Sequence, residues 1–508
     1  MLMRDEQQVM TEWLRQATPP EQQLDRRWIG RYRELAAQDS LWWLTWAGPF
    51  TEEEQQQWNH LFQPPVEEAA KAQLAPLLAQ SRERELTAAL SEQREPRLQY
   101  PAIEIDEVRC RIVGFERLAA EIERGESNEI VRRLYLGAIT DDLTYLRLIE
   151  ATFEGNTEQF GTLNRYLFHE PTPDEMTYAF SRLRRMLQQG FERPDTAAMS
   201  QHLLQILHEQ LHVSLDMFVG QDEPPVVREY DSSLWGPSIS AQATKRFFET
   251  ILRDSGYEGW HVMIDAAGSG ARVESGLRQV LLSNERFALN TIRHLLAHEL
   301  AGHVARSFAG EHSPIGLLGI GTQGYSPTEE GLALYHEREA TRRTGYPFSD
   351  AMLWLGTLTT GLASGVATPP QTFLSLYSFL DLLFLLHRRL WRPNDKMQAA
   401  QEQSHDLALW RCLDAYRGVP DLEQAGVCYF QDVIYLRGLL LIDRLVAEDE
   451  TIVDRLAVGK VSSDLLSVLQ PLHIAPSPQP LRQLAYDPEL DSYILSFESP
   501  GDNRDTSA

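Results

Sequence analysis

His298, Glu299, His303 and Glu330 are the residues of this 508-residue chain whose types and spacing could do chemistry. In His298-Glu299-Leu300-Ala301-Gly302-His303, two imidazoles flank a carboxylate. That set suits one zinc ion per chain, with Glu299 placed to take a proton from water that the metal acidifies. The usual zinc-protease helix has its histidines at i and i+4, about one turn apart on one face. Here they stand at i and i+5, so an ideal helix at roughly 100° per residue would point them about 140° apart. One metal could not bind both. The extra residue must be absorbed by a π-bulge or by a helix that loosens at its end, and Gly302, directly before His303, most readily permits it.

The elements around these residues follow from pattern. Residues 290 to 307 read as the metal helix, with Ile292, Leu295, Leu296, Leu300 and Val304 on an apolar face. Trp260 to Ile264 and Gln279 to Leu282 read as short strands separated by Gly268-Ser269-Gly270 and Ser275-Gly276 turns. Together they predict a small sheet beside the metal helix, with Gly270 to Leu282 as the edge on which an extended peptide could pair. After a Gly-rich apolar loop from Ser313 to Gly321, Ser326-Pro327-Thr328-Glu329 reads as a helix start, with Ser326 and Glu329 forming a capping box and Pro327 at N1. This puts Glu330 in a first helical turn as a third ligand. Glu337, seven residues on, shares its face and could orient a ligand histidine from behind.

A second motif competes. His208-Glu209-Gln210-Leu211-His212 has the ideal i, i+4 spacing. Around it stand only isolated carboxylates such as Glu229 and Asp231 in a Pro- and Ser-containing stretch, so a solvated helix face accounts for it better than catalysis does.

Composition bounds the rest. At 43% hydrophobic residues the chain can bury a large core, and 73 acidic against 47 basic residues, a formal charge of −26, disfavour nucleic acid and anionic membrane as partners. The start of the chain carries no apolar signal core, and Cys110, Cys412 and Cys428 are too few and too scattered for a disulfide framework; both favour the cytoplasm. The most apolar run, residues 373 to 386, contains Asp381 and is too short to span a bilayer. Trp42, Trp43 and Trp46 read as a packing anchor. The expected organisation is a helical N-terminal extension over 1–100, a catalytic domain over 101–455 and a tail over 456–508. Within the domain, 101–250 is helical, 251–345 holds the sheet and metal helices, and 346–455 is helical again. The fold class is α+β, mostly α-helical.

Three stretches, His298 to His303, Ser313 to Tyr325 and Thr328 to Glu337, resemble the tyrosine carboxypeptidase family of zinc metallopeptidases, whose bacterial members carry a QEGLA motif. Tyr416 to Pro420 and Cys428 to Gly438 extend the likeness over roughly residues 100 to 455. The resemblance implies a zincin-like core wrapped by helices, zinc held by His298, His303 and Glu330, and Glu299 as catalytic base. Glu329 stands where the family has glutamine, and Gln431 where it usually has lysine before Asp432. The substrate implied is a peptide or protein C-terminus, with tyrosine or another aromatic residue released. Holding its carboxylate favours a bidentate arginine, for which Arg272, Arg417 and Arg437 are candidates, and Tyr435 could donate to the oxyanion. Two other readings are a peptidase or amide-processing enzyme acting on a small peptide metabolite, and a metal-binding scaffold without turnover.

Overall fold

The computed structural model describes residues 2–36, 47–62, 68–100, 105–213, 236–265, 270–346, 348–366 and 368–498. Trp42, Trp43, Trp46, Glu229, Asp231, Gly268 and Ser269 lie outside them. The protein is mostly helical with two small sheets.

The helical first third forms by amphipathic packing. In Ile105–Gly125 the buried side chains Val108, Ile112, Phe115, Leu118 and Ile122 recur every three or four residues and face Glu129–Phe153. Asn128 caps the second helix by accepting from the Ile130 and Val131 amides. The long apolar run is the helix Phe373–Trp391, buried in the same core, and its Asp381 accepts a hydrogen bond from Ser404 Oγ at 3.0 Å. Among the described residues no helix is long and apolar enough to cross a membrane.

A second core holds the sheet. Ser238–Ser240 (β1) leads into Ala241–Asp254 (α1) and pairs antiparallel with Arg286–Ala288 (β5). Between them His261–Asp265 (β2), Ala271–Glu274 (β3) and Gln279–Ser283 (β4) form a sheet of order β2-β4-β3, β4 parallel to β2 and antiparallel to β3. The edge facing the metal helix is therefore β3 alone, and β4 is the central strand. Val262, Val280 and Leu282 share one face and pack with Leu296, Leu300 and Val304, each full burial of this kind contributing about 1.5–3 kcal/mol.

The chain then runs through Leu289–Leu295 (α2), a π-helix Leu296–Val304, Ala305–Glu311 (α3), the loop 312–325 and Ser326–Thr344 (α4). Further on, Val433–Glu448 (α5) lies along α4. That crossing is close because Gly331 faces Gly438; a Cβ on either would collide with backbone. Pro480–Ala485 (α6) packs on the π-helix, and Leu481, Ala485, Leu490 and Ile494 join the second core. The stretch read as a tail is thus packed into the second core, and its Glu498 accepts from the Ser240 amide and from Arg286. The N-terminal stretch is also tied in: buried Asp25 accepts from the Gly316 and Leu317 amides and from Tyr135.

Candidate metal centre

The i, i+5 histidines meet because the helix changes its period. From Leu296 to Val304 the backbone is π-helical, which inserts the residue that an α-helix cannot absorb. Gly302 sits against Ala333 of α4, where an added Cβ would come within 2.8 Å of the alanine's own. A glycine at this point lets the π-helix and α4 approach. His298 and His303 then place their rings 5.0 Å apart at 75°.

Glu330 enters from the first turn of α4. Its Oε2 lies 3.5 Å from His298 Nε2 and 3.7 Å from His303 Nε2. One ligand atom from each of His298, His303 and Glu330 lies within 4.8 Å of the others, the one such group among the described residues. A tetrahedral zinc with ligands at about 2.0–2.2 Å has edges of about 3.3–3.6 Å, so the 3.5 Å separation matches it and the 3.7 Å one needs a small closing movement. The donor set also suits it, being two imidazoles and a carboxylate with both ring Nε2 atoms turned inward.

Each of the two rings is held from behind. His303 Nδ1 is 2.8 Å from Glu329 Oε1, and the other oxygen of Glu329 accepts from the buried Arg306, whose Nε and second terminal nitrogen donate to the Gly459 and Val461 carbonyls, each at 3.0 Å. Lys460 Nζ stands 3.7 Å from Glu329 Oε1. On the other side, His298 Nδ1 is 3.4 Å from Glu337 Oε2. A carboxylate behind each ring sets the tautomer that leaves Nε2 free for a metal. Glu329 consequently does not complete a capping box: α4 begins at Ser326 after Tyr325, with no side-chain cap. Its carboxylate serves His303 and Arg306 instead.

Charge follows this placement. Burial pushes Glu299 above the usual carboxylate range. Burial would raise Glu329 too, but Arg306, Lys460 and His303 outweigh it and bring its pKa to about 2. For Glu330 burial is likewise outweighed by His303 and His298, and its pKa is lowered. Burial would lower His298, yet the carboxylates of Glu330 and Glu337 hold it well above the ordinary imidazole value.

The remaining candidates separate. Tyr435, on α5, is held protonated first by the charge of Glu330 and then by burial, with Glu299 also contributing, so it sits within electrostatic reach of the centre. Arg437 is occupied elsewhere, donating to both Glu175 oxygens at 2.8 and 2.9 Å and to the Phe168 and Glu170 carbonyls. Arg272 pairs with Asp265 at 2.6 Å on the sheet face opposite Val262, Val280 and Leu282, away from the metal helix. Arg417 is buried against Asp414, and its charge is felt at Tyr435. At the competing motif, His208, Glu209 and His212 are all exposed, and His212 lies beyond the helix at φ +54°.

Three residues of this centre were not singled out from the sequence: Arg306, Lys460 and His294. Arg306 and Lys460 meet Glu329 across long sequence separations. His294 stands one turn before His298, where a repeat of histidine at i−4 was the available clue.

No family profile matches the chain, and no solved structure matches it. The chain is similar to microtubule-associated tyrosine carboxypeptidase 1 of Mus musculus, with 29% identity over 184 residues, 35% of this chain. The match spans 32% of the mouse protein, so about a third of that relative's length is covered.

Proposed function

We propose that this chain is a zinc-dependent metallopeptidase with a zincin-like core, a member of the tyrosine carboxypeptidase family that removes a C-terminal residue, aromatic by preference, from a peptide or protein in the cytoplasm. The observation that carries the reading is the convergence of His298, His303 and Glu330 around one point, with Glu299 buried on the same π-helix. Similarity to the mouse carboxypeptidase supplies the bond and the end of the substrate.

His298, His303 and Glu330 would hold the zinc, which supplies Lewis-acid polarisation of a carbonyl and acidifies water. Glu299 takes the water proton and passes it to the leaving amine. A carboxylate raised by burial toward working pH suits that double task. Tyr435, kept as the phenol, donates to the oxygen of the scissile carbonyl. Of the three arginines, Arg417 is the one whose charge is felt at Tyr435, and although it is buried against Asp414 it is the candidate for drawing the substrate's terminal carboxylate.

The test is mass spectrometry of a peptide library incubated with the wild type and with Glu299→Gln. The wild type is expected to release single C-terminal residues and the variant none, while both retain zinc. Zinc-loaded wild type that releases nothing would favour a scaffold without turnover.

A further inference from the structure

Glu337 faces two imidazoles. One of its oxygens is 3.4 Å from His298 Nδ1, and the other is 3.2 Å from His294 Nδ1. The geometry has a simple origin. His294 and His298 are four apart at the junction of α2 with the π-helix, so they sit one above the other on one face. On α4, Glu330 and Glu337 are seven apart, two turns, and share the facing side. The two rows therefore interlock, with Glu330 against the Nε2 of His298 and Glu337 between His298 and His294. His294, His298 and Glu337 are largely buried, with 15–17% of each side chain exposed, so water is a poor substitute for a lost partner.

We infer that His294 is a positioning residue for the metal centre: it anchors the free oxygen of Glu337, which in turn fixes the ring of ligand His298. The inference rests on the zinc reading above. His303 has the corresponding support in Glu329, which Arg306 and Lys460 anchor. In the His298 arm the anchoring donor is an imidazole. Without His294, Glu337 has one oxygen with no donor from α2 and is free to rotate off His298, so the ligand ring loses its fixed orientation. Outer partners of this kind typically alter metal affinity by about 10–100-fold.

The test uses the full chain with His294→Ala and His294→Asn, whose side-chain amide nitrogen can take the place of Nδ1. Zinc affinity is measured by competition with a chromogenic chelator, the cobalt(II) absorption spectrum reports the ligand geometry, and melting of the metal-free proteins reports the fold. His294→Ala is expected to bind zinc about 10–100-fold more weakly, with shifted cobalt bands, while the metal-free protein still unfolds in one cooperative transition at a somewhat lower temperature. His294→Asn should restore affinity and spectrum toward wild type. Wild-type affinity in His294→Ala, or equal losses in the two variants, would overturn the inference while leaving the zinc reading standing. A wild type that binds no zinc would overturn both.

Discussion

The chain carries two His-Glu motifs, and the better-spaced one makes the poorer site. Both involve π-helical backbone, Ile206–Gln210, which ends before His212, and Leu296–Val304, which holds the whole of the second motif. At 208 the turn ends a helix, its histidines are exposed, and they belong to no group of three metal-ligating side chains among the described residues. At 298 the π-helix is buried between the sheet, α4 and α6, and every polar atom of the two rings meets a carboxylate. Spacing along the helix is thus the lesser condition. What separates the regions is a second helix that presents Glu329, Glu330 and Glu337 from one side.

That contrast can be broken in steps. The largest effect is expected from Arg306→Ala, which strands the buried Glu329 charge; breaking a buried pair of this kind costs about 3–5 kcal/mol, read by thermal or denaturant unfolding. Next comes Gly331→Ala, whose methyl would strike the Gly438 carbonyl. It should push α5 from α4, cost about 1–3 kcal/mol and weaken zinc binding as Glu330 shifts. The third is a pH dependence. Zinc held at this centre would have to displace the proton that Glu330 and Glu337 stabilise on His298, so affinity is expected to rise with pH and to keep rising above the ordinary imidazole value of 6.5. An affinity that levels off at or below that pH would contradict the charge arrangement. The smallest effect is expected at the other motif: His208→Ala should leave stability within about 0.5 kcal/mol and zinc content unchanged, because the side chain is exposed.

Much of this contrast was legible in the residues. The i, i+5 spacing demanded an irregular helix, and Gly302 marked where it could form. The two apolar strands, read at 260–264 and 279–282, correspond to β2 and β4. β1 and β5 were not legible, since three residues are too few to establish a period, and β3 was legible only as part of the edge Gly270 to Leu282, its four alternating residues not being set apart from β4. The capping box at Ser326 failed for a tertiary reason, as Glu329 gains more from His303 and Arg306 than from its own helix end. The segment after 456 has short helices broken by Pro, Ser and Gly, so its role appears only through contacts such as Arg293 donating to Asp491 at 2.7 Å and to the Asp487 carbonyl. His294, Arg306 and Lys460 act through partners on other elements, and no local pattern announces such pairs.

We propose that the i, i+5 pair, and not the i, i+4 pair, forms the metal centre. Zinc content by elemental analysis of His303→Ala beside the double variant His208→Ala/His212→Ala tests it most directly. About one zinc per chain in the wild type and in the double variant, with none in His303→Ala, is the expected result. Zinc kept by His303→Ala and lost from the double variant would contradict the account.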